Sequence, residues 1–258
     1  MLLAIDAGNT NVVFAVYDGT ALHHAWRCRT ESGRTADEYA AWLYQLFCKE
    51  NMGFAQVTDV VVASVVPHAN MHLRHFCVSS FDCEPLFVGA ETVNVRIGLD
   101  KPSEIGADRL VNACAVLHDG LAPAVVIDFG TATTFDVIDA DDIYRGGVIA
   151  PGVHLSMEAL HRAAAKLPKV DIAKTVHVIG TDTVSAMQSG VYWGYVAMIE
   201  GTLARITAEL GYKPCVIATG GLASLFADTI PAIDKVDKDL TLRGLFHIYH
   251  SNQAKKAA

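Results

Sequence analysis

The chain has 258 residues, 52% of them hydrophobic and 19% charged, with a formal net charge of −8. That length supports one or two domains with a sizeable core, and no apolar run reaches the ~18–20 residues that span a bilayer. The acidic balance argues against nucleic acid as the main partner, because a phosphate backbone calls for a basic surface; a small anionic ligand stays open, since backbone N–H groups and a metal ion can hold one.

The chain enters an apolar run at once, Leu2-Leu3-Ala4-Ile5-Asp6. No basic segment or small-residue cleavage site precedes it, so no signal peptide is expected. Residues 2–6 and 12–17 read as buried strands joined by Ala7-Gly8-Asn9-Thr10-Asn11. Asp18-Gly19 is a hairpin-turn signal. Thr35 and Glu38 form a capping box, and Tyr39, Leu43, Leu46 and Phe47 mark one face of a helix running to about Gly53. Val60 to Val66 is a buried strand that Pro67 stops. His68, His72 and His75 would share a face if helical; no carboxylate stands at ligand spacing, and they read as a solvated polar face. Ser103 or Gly106 starts a helix through Leu110, Ala113 and Leu117, ending near Gly120.

The pattern then restarts. Ala124–Asp128 and Thr134–Ile138 read as strands about a Gly130-Thr131-Ala132-Thr133 turn, and residues 146–152 as a strand with glycine-rich ends. A helix at about 153–164 and a less ordered stretch to Gly180 follow. Thr181 or Thr183 caps a long helix to about Leu210, in which Gly190, Gly194 and Gly201 suggest close approach of another element or a second subunit. Pro214 to Ala218 is a strand running into Thr219-Gly220-Gly221. These readings divide the chain into a first domain over 1–121, a second over 122–250 and a frayed tail over 251–258. The six cysteines (28, 48, 77, 83, 114 and 215) contain no C-x-x-C pair and read as reduced core thiols of a cytoplasmic protein.

The restart is a repeat. Ile5-Asp6-Ala7-Gly8-Asn9-Thr10-Asn11 and Ile127-Asp128-Phe129-Gly130-Thr131-Ala132-Thr133 share one pattern, with Asp6 and Asp128 122 residues apart. Glycine admits close backbone approach, Asn and Thr add donors, and the aspartate can hold a cation beside a phosphate. One such turn is an ordinary β-turn; two at matching positions point to a duplicated phosphate-binding domain. There is no Gly-Lys dipeptide, hence no P-loop, and no G-x-G-x-x-G follows a strand. Gly220-Gly221 could let a flat adenine or ribose lie on the backbone, or be a packing turn. In Gly106-Ala107-Asp108-Arg109 the carboxylate could deprotonate an alcohol while the guanidinium holds a carboxylate or amide; an acidic first-turn residue beside a surface Arg fits the same four residues.

In order, Asp6–Asn11, Gly106–Arg109, Asp128–Thr133, Gly146–Gly152 and Thr219–Gly221 resemble the type III pantothenate kinases, of the acetate and sugar kinase, Hsp70 and actin superfamily. The resemblance covers nearly the whole chain and rests on the ordered set rather than on any one motif. It implies an α/β fold of two duplicated ribonuclease-H-like domains with a nucleotide cleft, and a homodimer. It implies phosphorylation of the primary hydroxyl of pantothenate by ATP, the first step towards coenzyme A, with no nucleic acid or membrane partner. Carried over, Asp6, Ala7, Gly8, Asn9, Thr10, Asn11, Val12 and Val13 bind ATP with Thr131, Gly220 and Gly221. Gly106, Ala107, Asp108, Arg109 and Thr183 hold pantothenate, with Asp108 as general base. Asp128 takes the monovalent cation, K⁺ or NH₄⁺, and Asp6 Mg²⁺. The chain departs from the family twice. Leu99-Asp100-Lys101-Pro102 stands where an aromatic residue is common, and Gly180-Thr181-Asp182-Thr183 replaces Gly-Lys-Asn-Thr. Two rival readings share these residues: a kinase for another small hydroxylated substrate, and a nucleotide-binding regulatory protein without turnover.

Overall fold

The computed structural model describes residues 1–163 and 167–257. The chain forms two compact units. Unit 1 holds Met1–Arg96, Asp100–Gly120 and the chain from Asp239 onward; unit 2 holds Ile97–Leu99 and Leu121–Lys238.

In unit 1 the sheet order is β3-β2-β1-β4-β5, from β1 (Leu2–Ala7), β2 (Asn11–Asp18), β3 (Ala21–Arg29), β4 (Asp59–Ser64) and β5 (Leu86–Phe87). β1 is antiparallel to β2 and parallel to β4. Strand side chains alternate between faces, so Leu3, Ile5 and Phe14 pack towards α1 (Ala36–Lys49) and α2 (Pro67–Phe81), against Tyr39, Leu43, Phe47, Leu73 and Phe76. The capping box of α1 forms as read, with the Thr35 N–H donating to Glu38 Oε2 at 2.7 Å. β4 ends at Ser64, short of the expected Val66, and Pro67 opens the first turn of α2, where its missing N–H costs nothing. The opposite face carries α3 (Ala107–His118) and α7 (Leu240–Ala257), with the Tyr17 and Phe246 rings tilted at 36° and 4.9 Å apart.

Unit 2 repeats the order as β9-β8-β7-β10-β11, with β6 (Arg96–Ile97) added beside β9. Its strands are β7 (Ala124–Phe129), β8 (Ala132–Ile138), β9 (Ile143–Pro151), β10 (Cys215–Gly220) and β11 (Lys235–Val236). β8 runs antiparallel to β7, and β10 parallel. α4 (Val153–Ala163), α5 (Thr183–Leu210) and α6 (Ala223–Ala227) share a core with the sheet through Met157, Tyr192, Ile199 and Phe226. Residue 164, expected in α4, lies outside the described residues.

The structure differs from the sequence reading at the C-terminus. Residues 251–257 continue α7 instead of fraying, and the chain from Asp239 packs in unit 1 instead of closing the second domain. The cause is a close helix pair. A Cβ on Gly244 would lie 2.2 Å from the Val111 carbonyl oxygen, so α7 is seated directly on the α3 backbone. Further along α7, Asn252 Nδ2 donates to the Thr92 carbonyl at 2.7 Å. Arg243 donates to Asp119 from Nη2 at 2.7 Å, and Thr241 Oγ1 donates to Asn112 Oδ1 at 2.8 Å. The cap of α5 is Asp182 rather than Thr181 or Thr183. Its carboxylate accepts from Ser185 N–H at 3.0 Å, a bond that lowers its pKa.

Helix propensity alone favours Gly244→Ala by ~1 kcal/mol. The seat on Val111 reverses the sign, and we expect a loss of ~1–3 kcal/mol in a urea melt. A midpoint unchanged or raised would remove the α3–α7 seat.

Candidate active site

Two turn clusters carry the expected site residues, one in each unit, and both are built from strand ends and missing side chains.

In unit 1, β1 delivers Asp6 and turns at Gly8, whose N–H donates to the Asn11 carbonyl at 3.0 Å. Thr30, just past β3, fastens this turn: its Oγ1 donates to the Gly8 carbonyl at 2.6 Å and its N–H to the Thr10 carbonyl at 2.9 Å. The end of β4 locks alongside, with the Val65 N–H on the Ala7 carbonyl at 3.0 Å. Gly106, the N-cap of α3, sits against Val65, and a Cβ there would stand 3.6 Å from Val65 Cγ1. The same Cβ would stand only 2.5 Å from Asp108 Oδ1. Oδ1 also accepts from the Arg109 N–H at 2.8 Å, so the carboxylate folds back over Gly106. The Asp6 turn and the Gly106–Arg109 motif therefore share one end of one sheet.

In unit 2, β7 delivers Asp128, paired across to Thr134 on β8 and to Thr219 on β10. Gly130 N–H donates to the Ala132 carbonyl at 3.0 Å, closing the turn that carries Thr131. Gly152 fits against it: its N–H donates to the Thr131 carbonyl at 3.0 Å, and a Cβ would lie 2.1 Å from that oxygen. Gly220 has φ +88°, and a Cβ there would lie 2.6 Å from Asp128 Oδ1 and 2.7 Å from Phe129 N. Tyr195 of α5 supports the corner by donating to the Pro151 carbonyl and meeting Ser156 Oγ at 2.7 Å. Burial raises the Tyr195 pKa, so the phenol keeps its proton for that bond.

The two turns differ in length. Ala7 pairs with Val12 across the first, and Phe129 with Thr133 across the second, which is one residue shorter. The 122-residue repeat therefore holds up to the glycines and slips by one after them. Counted back from β2 and β8, Thr10 corresponds to Thr131.

Thr183 is exposed in the first turn of α5, after a Gly180 whose Cβ would lie 2.3 Å from the Ala186 nitrogen. Gly221, after Gly220, has no atom near the Cβ position. Leu99 packs over Gly146, whose φ is +100° and whose Cβ would lie 3.0 Å from Leu99 Cδ2. Within unit 2 nothing lies near the Cβ positions of Gly190 and Gly194, so the close approach expected there is not made inside the unit. Sequence reasoning missed Thr30 and Tyr195. Neither belongs to a spaced motif, and only chain folding brings them to the turns.

A family model described as type III pantothenate kinase matches residues 2–205. The chain belongs to this family. A type III pantothenate kinase of Paramagnetospirillum magneticum is 55% identical over 98% of each chain, and one of Caulobacter vibrioides 53% over 98% of each. Among solved structures, a conserved putative Baf family transcriptional activator from Campylobacter jejuni superposes with TM-score 0.64 at 20% identity, over 98% of this chain and 99% of that one. A putative 2-dehydro-3-deoxygalactonokinase from Sinorhizobium meliloti gives 0.58 at 15% identity, over 97% and 96%. At those identities the two structures speak for the fold alone, the duplicated ribonuclease-H-like α/β architecture.

The glycine contacts separate two kinds of damage. Gly106→Ala pushes only a carboxylate, which can rotate, so the thermal midpoint stays within a few degrees while pantothenate-dependent turnover falls about 10²-fold. Gly220→Ala meets backbone in a strained conformation and lowers stability as well, by ~1–2 kcal/mol or more. Equal effects of Gly106→Ala on stability and turnover would show that it serves the fold, not the carboxylate.

Proposed function

We propose that this chain catalyses ATP-dependent phosphorylation of the primary hydroxyl of pantothenate to 4′-phosphopantothenate, the first step of coenzyme A biosynthesis. The observation that carries the reading is the Asp108 carboxylate at the head of α3. It is folded over Gly106 and held by the Arg109 N–H, at the same sheet end as the Asp6 turn. A kinase needs little covalent chemistry from the protein; it needs positioning and charge stabilisation.

In this reading the Asp6 to Val13 turn and Thr131, with Gly220 and Gly221, hold ATP. Backbone N–H groups and threonine hydroxyls meet the phosphates, and the glycines let the backbone approach. Arg109 pairs with the pantothenate carboxylate or its amide oxygen. Gly106, Ala107 and Thr183 complete that contact. Asp108 orients the hydroxyl and accepts its proton; because the transition state is loose, much of this role is orientation.

The residues at Asp128 fit a monovalent cation. Its carboxylate lies in the space that a side chain on Gly220 would fill, 2.6 Å from that Cβ position, and within ordinary contact of Gly130, 3.7 Å from its Cβ position. K⁺ or NH₄⁺ would be held by Asp128 and Mg²⁺ by Asp6, and together they neutralise charge on the phosphate oxygens. Asp128 and Asp6 otherwise serve to keep that charge balance fixed beside the turns.

Homodimerisation and a cytoplasmic setting belong to the same proposal. Gly190 and Gly194 are exposed on α5 with nothing packed against them, which leaves that face for a second copy. All six cysteines are unbridged; Cys48 is exposed rather than in the core, while burial pushes the Cys77 and Cys114 thiols up, Cys114 to about 12. Inert thiols of this kind suit a reducing compartment. No helix among the described residues is long and apolar enough to cross a membrane.

ADP release from ATP and Mg²⁺, with and without pantothenate, in K⁺ and in Na⁺, tests the reading. We expect pantothenate-dependent release that K⁺ favours, and a dimer by light scattering. Asp108→Asn should lose ~10²-fold or more in turnover with ATP still bound; near-normal turnover would remove Asp108 from its role. ATP binding with no pantothenate dependence in either salt would leave a nucleotide-binding protein without turnover.

A further inference from the structure

Within unit 1, at the opposite end of α3 from Asp108, α3 meets α7 in a cluster with no part in the chemistry above. His118 is the last residue of α3, Asp119 is its C-cap, and His247 lies on α7. One ligand atom from each can be chosen so that all lie within 4.8 Å of one another. The two imidazoles are stacked, with centroids 3.4 Å apart and planes at 13°. Arg243 occupies Asp119 Oδ2 from Nη2 at 2.7 Å and Nε at 3.1 Å, while Oδ1 faces His118 Nδ1 at 3.7 Å. His247 Nε2 is buried and has no hydrogen-bond partner.

We infer that His118, Asp119 and His247 form a binding site for a divalent transition-metal ion of the Zn²⁺ class, which clips α7 to the end of α3. Two imidazoles and one carboxylate are the donors such ions take, three protein ligands leaving a fourth position for water. Mg²⁺ is the wrong ion here, because it demands an octahedral oxygen shell. The site is therefore distinct from the kinase's own cation requirement and does not depend on it. Three features favour a cation at this spot. The carbonyl end of α3 carries partial negative charge. Arg243 fixes the carboxylate from its far oxygen, as an outer-shell donor does. A metal bound through His247 Nε2 would satisfy a buried nitrogen that otherwise lacks a partner.

The geometry sets what must move. Bonds of ~2.0–2.1 Å in a tetrahedral site place ligand atoms ~3.3 Å apart, so the three must close by up to ~1.5 Å. Parallel ring planes do not aim two nitrogens at one point. His118, whose side chain is 56% exposed, has the freedom to swing out of the stack.

The test uses untagged full-length protein stripped with EDTA. Zn²⁺ is titrated in competition with a chromogenic chelator, Co²⁺ serves as an absorption probe, and melting is followed with Zn²⁺ or Mg²⁺ added. We expect one equivalent of Zn²⁺, a low-coordinate Co²⁺ spectrum, and a melting temperature that rises with Zn²⁺ in a way that depends on His118, while any shift with Mg²⁺ does not. His118→Ala changes an exposed side chain and leaves the fold intact; it should weaken Zn²⁺ binding at least about tenfold and abolish the thermal shift. Asp119→Asn should do the same, with a lower starting stability from the weakened Arg243 pair. Replacing His68, His72 and His75 together by Ala should change nothing. Failure of the wild type to bind Zn²⁺ at tens of micromolar overturns the inference, as does binding that survives His118→Ala or is lost with the α2 histidines.

Discussion

The Asp128 carboxylate stands where a side chain on Gly220 would stand, 2.6 Å from that Cβ position, and the Phe129 nitrogen lies at 2.7 Å. The same exclusion recurs at Gly152 against the Thr131 carbonyl, at Gly106 against Asp108, and at Gly180 against the first turn of α5. Carboxylates and carbonyls on strand ends repel one another and any phosphate near them. They can be brought this close to the backbone only where the chain supplies no Cβ. In each unit the strand ends and helix starts around the aspartate turn meet at such glycines, so the turn takes its geometry from them.

The duplicated sheets show how the approaches were made twice. Both units run an antiparallel hairpin, then a parallel strand across a helical connection, in one spatial order. The hairpins differ by one residue at the turn. A one-residue change in a strand would turn every side chain to the other face. In the turn it is harmless, because the strands beyond keep their registers and only the loop shortens. That is why Thr10 and Thr131 correspond from the β2 and β8 side, although the sequence pattern aligns Asn9 with Thr131.

Much of this was legible beforehand, and the limits have physical causes. β1, β2, β4, β7, β8 and β10 are buried apolar runs, and burial on both faces writes itself into composition. The aspartate and glycine turns were legible because their steric demands admit few residue types. β3 was not read. It is an edge strand with one face open to water, and only Leu22, His24, Trp26 and Cys28 of it turn inward. α7 was not read either. It packs at once on α3, β1 and β4, so its apolar residues follow no single stripe, and Gly244 interrupts it for the sake of a neighbour. Thr30 and Tyr195 act through long-range bonds that no local spacing records.

The return of the chain to unit 1 after Lys238 has a consequence for biosynthesis. Residues 121–238 leave the ribosome as one uninterrupted stretch and can close their own core while the chain is still growing. Unit 1 starts earlier in the chain yet closes later, because α7, which covers one face of its sheet, follows unit 2 in the sequence. Until then Tyr17 and the apolar side of α3 stand open, a surface that chaperones recognise. Damage near the C-terminus therefore falls on the unit that was made first, the one that carries Asp6 and Asp108.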